Sequence, residues 1–87
     1  MQAVTLYSTR VCGFCSRAKA LLEAKRVPYT EIMVDLDPAR REEMVQKSGR
    51  HTVPQIFIGG RHVGGYVDLY LLDRHGGLDP LLAEPIR

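Results

Sequence analysis

The sequence predicts one α/β domain spanning residues 1–87, a mixed four-stranded sheet flanked by helices with elements in the order β-α-β-α-β-β-α. Three observations lead to it. Ala3–Val34 reads as strand, amphipathic helix and strand, which implies parallel pairing with a right-handed crossover. Gly59-Gly60, between two short runs of strand character, suits the tight turn of an antiparallel hairpin. Finally, a chain of 87 residues can build one core and no second one.

Each element has a local cause. Ala3 to Tyr7 is short, apolar and β-branched, a buried strand that runs into the polar Ser8-Thr9-Arg10. From Cys12 onward, Cys15, Ala18, Leu21 and Leu22 recur at helical spacing, with Arg17, Lys19, Glu23 and Lys25 largely opposite; the helix closes before Pro28. Tyr29–Val34 is the second strand. Asp37-Pro38 supplies an N-cap followed by proline at the first helical position, and Gly49 a C-terminal stop, so Ala39–Ser48 is a short helix. Gln55–Ile58 and Arg61–Gly64 form the hairpin. Gly64-Gly65 breaks that strand, a helix runs from Asp68 to about Arg74, and Gly76-Gly77 ends it. Leu78–Ala83, with Asp79-Pro80 inside it, can add one last turn.

Composition narrows the function. Twelve basic and ten acidic side chains give a net charge of +2 and no basic stripe, which argues against nucleic acid as a partner. No apolar run approaches the ~20 residues that span a bilayer, and Met1–Tyr7 lacks the long apolar region of a secretory signal, so a cytoplasmic location is expected. Two cysteines are too few for the framework of a secreted miniprotein; in a reducing compartment a close pair points to redox or metal chemistry.

Cys12-Gly13-Phe14-Cys15 falls where a strand turns into a helix, so Cys12 should face the free N–H groups of the first helical turn. A thiolate is the nucleophile of disulfide exchange, and the positive end of a helix favours it, lowering a thiol pKa from about 8.5. Cys15, one turn deeper and on the apolar face beside Ala18 and Leu22, should be the buried, less reactive partner, close enough for a disulfide. The competing readings are two inert core cysteines or half of a zinc site. Zinc would need two further ligands, and His51, His62 and His75 lack the short spacing of common fingers. The histidines are given no catalytic role.

With these motifs, the chain resembles the glutaredoxins, in particular their short bacterial dithiol type. The resemblance rests on Cys12-Gly13-Phe14-Cys15, Thr52-Val53-Pro54-Gln55-Ile56-Phe57-Ile58, Gly64-Gly65 with Asp68-Leu69, and Gly76-Gly77-Leu78-Asp79-Pro80, four motifs in the right order along nearly the whole chain. It implies the thioredoxin fold, glutathione as co-substrate, and reduction of protein disulfides and glutathione mixed disulfides. It implies a cis peptide at Pro54, with Thr52, Val53 and Pro54 presenting backbone to a bound tripeptide near Cys12. Gly65, Tyr66, Val67 and Asp68 bring a second helix N-terminus to the site. Its N–H groups would take the γ-glutamyl carboxylate and Asp68 the amine, while Asp68 also caps its own helix. Phe14 and Tyr66 would wall the tripeptide.

The chain departs from the family at three places. Gly13 stands where dithiol members usually carry proline, and Cys-Gly-Phe is the start of the monothiol motif, although Cys15 is retained. Thr9 occupies the position of a lysine that helps hold the glutathione glycine carboxylate, with Arg10 next door as its substitute. Val67 replaces a commonly polar residue and leaves only its backbone N–H to bind.

The resulting expectation is a monomeric enzyme with Cys12 and Cys15 catalytic, glutathione as reductant, and disulfide-containing or glutathionylated proteins as partners. The alternative from another class is an iron–sulfur carrier in which Cys12 of two subunits and two glutathiones hold a [2Fe-2S] cluster; it is motivated by Gly13, which lacks proline's bulk. A thioredoxin proper would share the fold, but its motif usually follows tryptophan, and the chain has none.

Overall fold

A computed structural model of the chain describes residues 1–85. Strand β1 (Val4–Ser8) pairs in parallel with β2 (Thr30–Met33) and antiparallel with β3 (Gln55–Ile58), which pairs antiparallel with β4 (Arg61–Gly64). The order across the sheet is β2-β1-β3-β4, so the parallel pair β1–β2 and the hairpin β3–β4 join through the two central strands. This is the predicted mixed sheet.

Alternation along the central strands makes two cores. Val4 and Leu6 of β1 and Ile56 and Ile58 of β3 face helices α1 (Gly13–Ala24), α3 (Tyr66–Arg74) and α4 (Leu78–Ala83), where they meet Ala18, Leu22, Leu69, Leu78, Leu81 and Leu82. Tyr7 faces the other way and packs with Val34 and with Met44 of α2 (Pro38–Ser48); Ile32, Val53 and Phe57 lie against this smaller cluster. Fully burying each such aliphatic side chain contributes roughly 1.5–3 kcal/mol. Tyr7 keeps its hydroxyl satisfied by donating to Glu43 at 2.5 Å.

The caps of α2 are those read from the sequence. The Asp37 carboxylate accepts from the Ala39 N–H at 3.0 Å, Pro38 opens the helix, and Gly49 closes it with φ 72°, a left-handed conformation that glycine adopts without steric cost. The hairpin turns at Gly59-Gly60 as predicted, with Ile58 opposite Arg61; further along, a bulge pairs Phe57 with His62 but Ile56 with Gly64.

Several strand and helix ends shift by a residue from the sequence reading, β2 to Thr30–Met33 among them, and four differences have a physical reason. Helix α1 stops at Ala24 because Arg26 takes φ 58° and closes a Schellman motif, with Val27 N–H donating to Leu22 C=O at 2.9 Å and Arg26 N–H to Glu23 C=O at 3.0 Å. An arginine does there what glycine usually does, and the burial of Val27 holds it in place. Strand β1 reaches Ser8, whose buried hydroxyl donates to Glu31 on the neighbouring strand at 2.5 Å. Helix α3 begins at Tyr66 rather than Asp68: extended Gly65 is the N-cap, and Asp68 sits within the first turn and reaches back to it. Finally, Leu78–Ala83 is a distinct fourth helix, so the order ends α-α; Leu78, Leu81 and Leu82 share its buried face.

Candidate active site

The loop after β1 delivers Cys12 to the N-cap of α1 in extended conformation (φ −155°, ψ 109°). Its sulfur accepts a hydrogen bond from the Cys15 backbone N–H at 3.1 Å, and its carbonyl accepts from Ser16 N–H at 3.1 Å. This is the helix-end environment that the sequence predicts, with a free amide of the first turn pointing at the sulfur. Cys12 is partly exposed, whereas Cys15 is 1 % exposed and packed under the helix. The two sulfurs stand within disulfide reach of each other, with Cα atoms 5.2 Å apart, the spacing a dithiol–disulfide couple requires.

Across the groove, the Val53–Pro54 peptide is cis and the Val53 carbonyl oxygen lies 3.9 Å from Cys12 Sγ. This loop is fastened from behind. Gln55, fully buried at the start of β3, donates through Nε2 to the Thr52 carbonyl (3.0 Å) and hydroxyl (3.3 Å), while its Oε1 meets His62 Nε2 at 2.7 Å. Because the Gln55 amide nitrogen faces a carbonyl, its oxygen is the acceptor and His62 carries a proton on Nε2. Arg41 anchors the next turn by donating to the His51 carbonyl at 3.2 Å. His62, given no role from the sequence, is thus a structural strut; burial, with Arg50 nearby, pushes its pKa below the ordinary value.

The third wall is the start of α3. Gly65 N–H donates to Asp68 Oδ2 at 2.9 Å, and Arg50 Nη1 donates to the same oxygen at 3.2 Å. The amide and, against partial burial, the arginine hold the Asp68 carboxyl below its usual range. Gly64 must be glycine twice over: its φ is 122°, and a Cβ there would collide with the Asp68 carboxylate. Tyr66 stacks on Phe14 with ring centroids 6.2 Å apart, joining α3 to the cysteine loop, while Val67 is exposed. The Val53 carbonyl therefore lies beside Cys12, and the start of α3 adjoins both neighbours of that sulfur, Tyr66 against Phe14 and Gly65 near the Pro54 carbonyl. Arg10 is turned elsewhere: its Nε and backbone N–H both hold Asp35 Oδ2, at 2.9 and 3.2 Å.

Sequence reasoning missed Arg50 and Gln55. Arg50 acts across a separation of 18 residues, which no local pattern announces. Gln55 does carry a signal, as a polar residue opening an otherwise apolar strand.

A partly exposed sulfur at a helix N-terminus, a buried partner three residues on, and a cis-proline loop against them on this sheet define a thiol–disulfide oxidoreductase of the thioredoxin fold. Comparison with known proteins resolves the class further. The glutaredoxin family profile matches residues 4–63. Glutaredoxin 3 of Escherichia coli K12 is 55 % identical over 82 residues, covering 94 % of this chain and 99 % of that one. A glutaredoxin of Neisseria meningitidis serogroup A is 53 % identical over 83 residues, covering 94 % and 98 %. Among solved structures, a buckwheat glutaredoxin–glutathione complex superimposes with a TM-score of 0.85 at 34 % identity, covering 93 % of this chain and 76 % of that one. Glutaredoxin from Brucella melitensis gives 0.83 at 46 % identity, covering 99 % and 96 %. The chain belongs to the glutaredoxin family, and it is similar to its bacterial glutaredoxin 3 type.

Proposed function

We propose that the protein is a glutathione-dependent oxidoreductase that reduces protein disulfides and glutathione mixed disulfides, with Cys12 as nucleophile and Cys15 as resolving thiol. The observation that carries this is the Cys15 N–H aimed at Cys12 Sγ from the first turn of α1. It supports an anionic sulfur at neutral pH, because that amide has no other partner to lose when a thiolate forms.

With a glutathionylated protein, the Cys12 thiolate attacks the glutathione sulfur; the protein thiolate departs and takes up a proton, leaving Cys12 bonded to glutathione. A second glutathione thiolate attacks that glutathione sulfur, and glutathione disulfide leaves as Cys12 returns to the thiolate. With a protein disulfide, Cys12 forms a mixed disulfide with the substrate. Cys15 then attacks Cys12, releasing the reduced protein and forming the Cys12–Cys15 bond, which two glutathiones reopen.

The tripeptide is assigned to the groove between Cys12, the cis-proline loop and the start of α3. Val53 offers its backbone as a short strand partner beside Thr52 and Pro54, and Phe14 and Tyr66 form the apolar wall. The N–H groups at Gly65–Val67 receive the γ-glutamyl carboxylate and Asp68 the amine. Arg10 serves the glycine carboxylate by turning from Asp35. The crystallised glutathione complex of the buckwheat relative supports a tripeptide ligand. The enzyme is assigned to a reducing cytoplasm, as a monomer; among the described residues no helix is long and apolar enough to cross a membrane.

The test is a coupled assay with glutathione and glutathione reductase against one with a thioredoxin-type flavoprotein reductase. Glutathione supports turnover, Cys12→Ser abolishes it, and Cys15→Ser keeps deglutathionylation while losing reduction of protein disulfides. Full activity in Cys12→Ser, or a Cys12 thiol that ultraviolet titration finds protonated at pH 7, overturns the assignment.

The cluster-carrier reading draws on Gly13, where a Cβ would meet no atom within 4 Å. With Cys15 buried, each chain offers one accessible thiolate, so a [2Fe-2S] cluster would need a second copy and two added thiols. The enzyme reading is favoured, and anaerobic reconstitution with iron, sulfide and glutathione decides between them: visible absorption from a dimer supports the carrier.

A further inference from the structure

An aromatic stripe leaves the cysteine site along α3. Phe14 stacks on Tyr66 at 6.2 Å, and Tyr66 meets Tyr70 at 6.1 Å with the rings tilted by 38°. Each end is capped by a guanidinium, Arg17 lying 5.5 Å from the Phe14 ring centre and Arg74 5.9 Å from that of Tyr70. Phe14 is 53 % exposed, Tyr70 39 % and neighbouring Val67 56 %, whereas Tyr66 between the two rings is half-buried against the main core, so the stripe is a surface rooted at its centre.

The charges around it are unevenly used. Asp35, Asp68 and Asp73 are paired with Arg10, Arg50 and Lys25. Arg17 and Arg74 form no ion pair among the described residues and lie exposed on the rings. The surface that begins at the reactive sulfur therefore carries two uncompensated cations, held by their stacking rather than by a carboxylate.

We propose that this stripe is the docking surface for protein substrates whose cysteine is flanked by carboxylates and an apolar side chain. The proposal rests on the disulfide-reductase reading above and names the polypeptide class it serves. Followed from ring to ring, the consecutive separations of 5.5, 6.2, 6.1 and 5.9 Å give a contour with room for at most about seven extended residues at ~3.3 Å each, beginning beside Cys12, where the substrate thiolate departs from the glutathione sulfur under attack. With Phe14 and Tyr66 given to the tripeptide, the substrate's apolar side chain lies on Tyr70 beside the exposed Val67, while its carboxylates reach the terminal guanidiniums. Charge argues for such a segment over a second copy of the chain, because a two-fold contact of this surface with itself would oppose like charges at both ends.

The test uses two glutathionylated peptides of equal length, one with Glu and one with Lys either side of the cysteine, plus the mixed disulfide of glutathione with cysteamine. On the wild type, the Glu peptide should have a kcat/KM about tenfold above the Lys peptide at low salt, a preference that shrinks in 0.5 M salt, an expectation taken from two rim charges. In the double variant Arg17→Gln, Arg74→Gln, the Glu peptide should lose about three- to tenfold while the cysteamine substrate is unchanged; Tyr70→Ser should weaken both peptides and spare cysteamine. Equal rates on the two peptides in wild type, or a loss shared by all three substrates, overturns the proposal. Binding of the unglutathionylated Glu peptide to the Cys12→Ser variant, followed by NMR shifts at Tyr70 and Arg74, separates docking from catalysis. Shifts there uphold the stripe even if turnover with glutathione fails, and their absence overturns it even if turnover succeeds. Sedimentation showing that the stripe is occupied by a second copy also overturns it.

Discussion

Asparagine and alanine at Asp68 separate two duties that one carboxylate performs. The Oδ2 atom accepts from Gly65 N–H, which fixes the start of α3, and the charge is assigned to the amine of bound glutathione. Asparagine keeps an oxygen for the amide and removes the charge; alanine removes both. The cap is worth about 0.5–2 kcal/mol, so Asp68→Ala should lower Tm by several degrees, at about 4–8 °C per kcal/mol for a domain of this size, while Asp68→Asn stays near wild type. A hydrogen bond between charged groups contributes roughly 1.5–3 kcal/mol when sheltered. Here the carboxylate side chain is 46 % exposed and already shared with Arg50, which moves the expectation to about 1 kcal/mol, or roughly fivefold in KM for a glutathionylated peptide. Steady-state kinetics coupled to glutathione reductase, beside calorimetric melting, reads both quantities. A wild-type KM in Asp68→Asn together with a raised KM in Asp68→Ala would refute the charge role and leave Asp68 as a cap alone.

Other perturbations have equally definite outcomes. Leu22→Ala opens a cavity between α1 and the sheet and should cost about 2–5 kcal/mol in urea unfolding. Tyr7 and Tyr29 titrate at about 12 when folded, Tyr7 mainly through burial and Tyr29 mainly through its bond to Glu23. A raised folded pKa stabilises below the unfolded value of about 10 and is lost as pH climbs through 12, so urea midpoints should fall across that window, less so in Tyr7→Phe. At the acid end, the lowered carboxyls of Glu31, Glu43 and Asp68 act with opposite sign, their stabilisation present above about pH 4 and lost as pH falls. Gln55→Leu leaves His62 and the Thr52 carbonyl without partners; an unfolding cost of about 1–3 kcal/mol should accompany a raised KM, with the Cys12 thiolate titration unmoved.

Much of this was legible because the signals are local. Helical spacing behind Cys15, the Asp37-Pro38 start and the Gly59-Gly60 turn each act within a few residues, and each element stands where it was read. The boundaries that moved depend on what a residue meets far along the chain. Nothing in Lys25-Arg26-Val27 announces a left-handed arginine, since it is the burial of Val27 against the sheet that fixes it. Asp68 reads as a helix start because acids favour that position, yet bare Gly65 takes the cap and the acid reaches back from inside the turn. The site was legible as a set of residue types and not as a circuit. Arg50 on Asp68, Gln55 between His62 and Thr52, and Arg10 on Asp35 are contacts between segments that only the folded sheet brings together.

That convergence has a cost in partly folded states. The Val53 carbonyl and the sulfur beside it come from positions 41 residues apart, and they are brought together by the pairing of β1 with β3. No fragment of the chain retains the groove, so activity should be lost in the same single transition as the global fold, and a molecule that has lost its central strand pairing keeps a cysteine but not an enzyme.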